Sequence, residues 1–234
     1  MKRMLWLLPL LLVQSATATS YAYRVYLPLV SKPCATLADD FSDPTSGWAD
    51  DYYVWGITYE YTDSGEYHIS VPGPPWWVSA TPGWYTPTDF TLSADVRTTS
   101  DSLGTYGLAF GITANFYDHY SFEIDNAGNY YLWRYFPWRL LASGNSDILQ
   151  AGTNNLRVTR TGVQIDLYAN DVLLDTVAEH FSLDPQRVGV AASTRLLESG
   201  GLDAYFDNFT LSYCEPVEQA EQPQAYFVQS EREK

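Results

Sequence analysis

The chain has 234 residues, a formal net charge of −15, 16% aromatic residues and only 18% charged ones. That length allows one domain of ordinary size with extensions. So acidic a surface repels phosphate backbones and anionic lipid, which excludes nucleic acid as a partner class. Tyr, Trp, Thr and Val are plentiful, turn residues recur at short intervals, and no long segment has helical spacing, so the expectation is an all-β domain.

Residues 1–18 read as a secretory signal: Lys2 and Arg3, an apolar run from Met4 to Val13, and Ala16-Thr17-Ala18 as an A-x-A cleavage site. The run is too short to span a bilayer, so the expected product is secreted or on the extracellular surface, without membrane insertion. A retained N-terminal anchor is the alternative. Cleavage would remove two basic groups and no acidic one, leaving the chain more acidic still. Residues 19–33 read as a linker or edge strand, because Pro28 interrupts an apolar run.

Cys34 and Cys214 are the two cysteines, and they bracket the domain expected over 34–214. In an exported protein a disulfide between them is the default. Strands are predicted at Thr36–Phe41, Ile57–Tyr61, Glu66–Val71 and Phe90–Val96, the second and third joined across Asp63-Ser64-Gly65. Trp76-Trp77 follows a proline break. If that segment is extended, the two rings point to opposite faces, and one is exposed or covered by a loop. Trp48 reads as core. Over Tyr106 to Ile112, Tyr106, Leu108, Phe110 and Ile112 are expected on one face, and Gly107, Ala109 and Gly111 on the other. A face without bulk leaves room for a ligand or for close backbone approach.

The most informative stretch is His119–Tyr135. Tyr120, Phe122 and Ile124 alternate with Ser121, Glu123 and Asp125, and Asn126-Ala127-Gly128 suits a three-residue hairpin loop. That loop sets Asp125 opposite Asn129 and Ser121 opposite Trp133. A two-residue loop would swap the faces of the second strand. In the three-residue register one face carries Tyr120, Phe122, Ile124, Tyr130 and Leu132. The other carries His119, Ser121, Glu123, Tyr131, Trp133 and Tyr135, a polar-aromatic surface of the kind that binds sugar rings. The expected ligand contacts are therefore Trp133, Tyr131, Tyr135 and Glu123, with Trp76 or Trp77 at the rim.

Further hairpins are predicted over Thr161-Gly162 and Asn170-Asp171. A strand is expected around Val188–Ala192, and a last one at Tyr205–Leu211 with a bulge at Asp207-Asn208. Residues 215–234 are rich in Glu and Gln and read as a disordered acidic tail. Many short strands with Gly, Pro and Asp turns imply a two-sheet antiparallel sandwich, best fitted by a jelly roll. His68, His119 and His180 lack metal-ligand spacing.

Asp39-Asp40-Phe41, Gly47-Trp48, Gly65-Glu66-Tyr67, Tyr106-Gly107-Leu108-Ala109-Phe110, Tyr120-Ser121-Phe122-Glu123-Ile124, Asn155-Leu156-Arg157-Val158 and Phe206-Asp207-Asn208-Phe209 occur in this order. Together they resemble the concanavalin A-like jelly-roll superfamily. The branch they look like holds laminin-G-like domains and the 3-keto-disaccharide hydrolase (family-16-like) domains of bacteria. The resemblance implies a carbohydrate-binding or adhesion module acting on glycan or cell-surface polysaccharide. It also implies a structural calcium ion at Asp40 and Asp207; the alternative for Asp207 is to cap the bulge. Family-16 hydrolases carry Glu-Ile-Asp-x-x-Glu, and here Glu123-Ile124-Asp125 begins that pattern while Gly128 stands in place of the second Glu. Glycoside hydrolysis usually needs two carboxylates, so no catalytic residue is assigned. Hydrolysis of a (3-keto-)disaccharide is the second reading, and a structural surface domain without ligand the third.

Overall fold

The computed structural model describes residues 34–50, 52–73, 76–86, 88–99, 104–114, 118–180, 186–194, 200–214 and 224–229. The expected signal segment and linker lie outside the described residues. In chain order the first strands are β1 (Ala35–Asp39), β2 (Tyr52–Val54), β3 (Ile57–Tyr61), β4 (Tyr67–Val71), β5 (Trp76–Thr81), β6 (Tyr85–Thr86), β7 (Phe90–Thr98) and β8 (Thr105–Ile112). Then come β9 (His119–Ile124), β10 (Asn129–Tyr135), β11 (Arg139–Asn145), β12 (Asn154–Thr161), β13 (Gln164–Ala169), β14 (Val172–Ala178), β15 (Gln186–Ser193), β16 (Leu202–Tyr213) and β17 (Gln224–Gln229).

These strands form two antiparallel sheets. One runs β14-β13-β12-β7-β16-β4-β3-β2, with β1 also on β16; the other runs β11-β10-β9-β8-β15-β5-β17, with β6 also on β15. The architecture is the expected all-β, two-sheet jelly-roll sandwich.

Alternation builds the core between the sheets. In β7, Phe90, Leu92, Ala94 and Val96 are buried while the residues between them are half-buried. Phe90 meets Phe110 of the other sheet with ring centroids 6.0 Å apart. Each fully buried Phe, Leu or Val side chain contributes about 1.5–3 kcal/mol. Trp48 is core, as expected, and its ring packs edge-on against Phe41 and Phe209. Asp39 holds that knot: it accepts from Phe41 N–H at 2.8 Å and from Trp48 Nε1 at 2.9 Å.

The bulge in β16 falls where expected. Pairing with β7 shifts register between Asp207 and Thr210, and Asn208 is left-handed at φ +51°. The ladder of β1 on β16 begins at Ala35 opposite Tyr213, which sets Cys34 against Cys214, and the two form a disulfide.

Two expectations need correction, and one pair of alternatives is resolved. Ile112 does not follow Phe110 into the main core. Gly111 is left-handed at φ +64°, which turns Ile112 to the opposite face beside Ala109 and Trp77. The bare side of β8 reflects close backbone approach, not space for a ligand: a Cβ on Gly107 would lie 2.0 Å from the Phe122 carbonyl oxygen. Finally, the acidic tail contributes β17, which pairs with β5 from Gln224 opposite Thr81 to Gln229 opposite Trp76. The segment Ala225-Tyr226-Phe227-Val228 has strand-forming chemistry. Acidic neighbours hide it when composition is averaged over the whole tail.

Candidate functional site

The β9–β10 hairpin adopts the three-residue register. Ile124 pairs with Tyr130, Phe122 with Leu132 and Ser121 with Trp133, while Gly128 is left-handed at φ +80°. Asp125 organises the loop, accepting from the backbone N–H of Ala127 and Asn129 and from the Asn129 amide. The two faces divide as the alternation demands. Tyr120, Phe122, Ile124, Tyr130 and Leu132 join the core between the sheets. His119, Ser121, Glu123, Tyr131, Trp133 and Tyr135 take the face turned away from it.

On that outer face the central residues are closed off by the protein itself. Glu123 is 1% exposed. Its Oε1 accepts from Ser121 Oγ at 2.6 Å and from Trp77 Nε1 at 2.9 Å, and its Oε2 accepts from the Thr105 hydroxyl. Trp77 belongs to β5, three strand positions from β9 across β15 and β8, a separation of about 14 Å. Its indole can bridge that gap because the intervening outer-face residues are small. Ala191 lies opposite Gly107, and Gly107 lies opposite Glu123.

The ring is then stacked into an aromatic layer. The His119 ring lies 3.8 Å from Trp77 and 4.2 Å from Tyr135, nearly parallel to both. Trp77, His119 and Tyr135 are all buried. The expectation that Glu123, Tyr135 and Trp77 face a ligand is therefore corrected: their polar and aromatic groups are spent on one another. Alternation puts Glu123 on this face, but nothing local ties Trp77 to it, because β5 lies three strand positions from β9.

The edge of the same face is open. Tyr131 and Trp133 are half-buried with near-parallel rings 6.1 Å apart. Trp133 in turn stacks on Trp138 at 5.0 Å. Trp138 lies in the β10–β11 connection and is 46% exposed, beside Phe136 at 71%. Tyr131 donates its hydroxyl to Asp125 Oδ2 at 3.2 Å, and burial together with the Asp125 charge pushes that phenol up.

Ion pairs fix the tip that carries Trp138. Glu179, which follows β14, accepts from Arg134 at 2.9 Å and from Arg139 at 2.5 Å. Arg134 also faces Asp118, whose carboxyl burial pushes up while Arg134 pulls it back. Trp138 was the residue that alternation could not find, since it sits in a turn and not in a strand.

Trp76 lies elsewhere. As expected from the extended segment, it points opposite to Trp77, packs against the core between the sheets and stacks on Trp55. Asp40 and Asp207, the expected calcium pair, are each engaged locally. Asp40 accepts from the Ser42 backbone and hydroxyl, and Asp207 accepts from Asn208 N–H at the bulge. Burial and the charges of Asp95, Glu66 and Asp40 push the Asp207 carboxyl up. Among the described residues no three His, Cys, Asp or Glu side chains converge to hold a metal ion.

No family model matches the sequence, and no curated protein matches it. Solved structures do. A Bacillus subtilis protein of unknown function with a galectin-like fold is 10% identical, covering 78% of this chain and 96% of its own, with a TM-score of 0.58. A Bacillus licheniformis β-glucanase is 12% identical over 77% of this chain and 98% of its own, at 0.54. The carbohydrate-binding module CBM66 from Bacillus subtilis is 16% identical over 71% and 96%, at 0.50. At such identities the likeness is one of fold: a two-sheet jelly-roll sandwich.

Proposed function

We propose that this chain is a secreted, non-catalytic glycan-binding module whose contact surface is the ring series Tyr131, Trp133 and Trp138 at the β10–β11 edge. The observation that carries the reading is that series: near-parallel rings on one sheet face, ending in a partly exposed indole that ion pairs hold in place. Aromatic faces suit the C–H faces of pyranose rings, and the rigid tip reduces the ordering cost of binding. The carbohydrate-binding module and the β-glucanase among the structural neighbours support the ligand class. The disulfide and the A-x-A segment support export.

Hydrolysis finds less support. Glu123 is enclosed by Trp77, Ser121 and Thr105, and Gly128 turns the chain where family-16 enzymes carry their second Glu. Glu123 acts in this reading as a buried acceptor that fixes the aromatic layer. Glycan-array binding followed by tryptophan fluorescence titration tests the proposal. Binding that weakens in Trp138→Ala supports it, and silence across the array favours a structural surface domain.

A further inference from the structure

The second exposed aromatic feature lies far from the first. β2 and β3 are joined by the two-residue tip Trp55-Gly56, closed by Val54 opposite Ile57. Both tip residues are left-handed, at φ +52° and +87°. A tip of this kind takes Asn-Gly by preference, because a bulky side chain in the left-handed region is strained. The chain uses the preferred chemistry at another two-residue tip, Asn170-Asp171, with φ +49° and +65°. At Trp55 it does not, and the strained indole is also 62% exposed. Left-handed strain at a bulky residue opposes folding, and strain of this kind gathers at functional sites.

The ring is nevertheless held. Trp55 stacks on Trp76 at 5.3 Å with planes 25° apart. Trp76 is anchored in turn by its packing on the core and by two hydrogen bonds with Thr194: its carbonyl accepts from the Thr194 N–H, and its own N–H donates to the Thr194 hydroxyl. Gly56 presses on Pro72 so closely that a Cβ there would lie 2.9 Å from the proline ring. Trp55 is thus presented on a stiff support.

We infer that Trp55, backed by Trp76, is a second sugar-stacking subsite for a neutral glycan. The inference rests on the proposed function for its class of ligand. The net charge of −15 selects neutral over acidic polysaccharides. The two subsites cannot share one sugar. Trp76 on β5 and Trp133 on β10 are four strand positions apart in their sheet, about 19 Å. They also use opposite faces of that sheet, since Trp76 packs against the core between the sheets while Trp133 packs against the outer-face cluster. A long polymer reaching both would bind with avidity, which a short oligosaccharide cannot.

The test is affinity electrophoresis of the whole chain in gels containing a neutral β-glucan, xylan, mannan or galactan. The variant is Trp55→Asn, which supplies the preferred turn residue, compared with Trp138→Ala and the double variant. The expected result is retardation of the wild type by at least one polymer. Trp55→Asn should weaken it by roughly a hundredfold, with an unchanged or higher Tm, and the double variant should lose it. Unchanged retardation in Trp55→Asn, or a lower Tm that marks Trp55 as a packing residue, overturns this subsite and leaves the Trp138 site standing. Retardation lost in Trp55→Asn but kept in Trp138→Ala supports this subsite and removes the other. A wild type that no polymer retards overturns both.

Discussion

Replacing Trp77 separates a packed outer face from an open one. If the indole closes the sheet as described, Trp77→Ala removes a 2%-exposed ring that stacks on His119 and contacts Tyr135, and strips Glu123 of a hydrogen-bond donor. Core Trp→Ala changes cost about 3–5 kcal/mol. Leaving a buried polar group short of a partner costs about 1–3 kcal/mol, but the two are not additive, so the expected loss is about 5 kcal/mol. Trp77→Phe keeps most of the ring and loses the donor, and should cost about 2 kcal/mol. Urea denaturation at constant m reads both differences. A cycle with Glu123→Gln should give a coupling of about 1 kcal/mol between Trp77 and Glu123. A loss below about 1 kcal/mol for Trp77→Ala, typical of an exposed position, would refute the closed layer and reopen Glu123 to ligand.

Reducing the Cys34–Cys214 disulfide opens a loop with a sequence separation of 180, so dithiothreitol should lower stability by up to about 5 kcal/mol on the chain-entropy account; an unchanged urea midpoint contradicts it. The Arg97 guanidinium holds the Glu66 carboxyl below its usual range, with contacts of 2.7 and 2.5 Å. A depressed folded pKa contributes stability above the unfolded value and loses it as pH falls. Glu66→Gln should therefore cost about 1 kcal/mol at pH 7, and the difference should close below about pH 4.5. Asp207 has the opposite sign, since burial and three neighbouring carboxylates raise it. Its charged form opposes folding at neutral pH, so Asp207→Asn should raise Tm at pH 7, with the advantage fading as the pH falls through the carboxylate range; a fall in Tm at pH 7 would count against it.

Local chemistry carried much of the fold. The β9–β10 register follows from Asn126-Ala127-Gly128, and the two faces of the hairpin follow from the register. The β16 bulge showed itself where alternation slipped between Phe206 and Phe209. What escaped was long-range. Alternation assigns Glu123 and Trp77 to faces, but nothing local tells that β5 lies three positions from β9, so the closure of the outer face had no signature in either segment. β11 was missed because Arg139–Asn145 packs little on either side and shows no clean alternation. Ile112 was misplaced because one left-handed glycine resets the period. Trp55 and Trp138 lie in turns, where periodicity carries no information, and an aromatic residue in a position that favours Asn or Gly was the available clue for Trp55.

The measurement that bears most directly on the account is calorimetric titration of the wild type, Trp138→Ala and Glu123→Gln with the strongest glycan from an array. The account predicts that Trp138→Ala loses about 2 kcal/mol, a factor of about 30 in affinity, while Glu123→Gln, confirmed folded by circular dichroism, binds as the wild type does. Affinity lost in Glu123→Gln and retained in Trp138→Ala would contradict it, moving recognition from the aromatic edge to the interior of the sheet face.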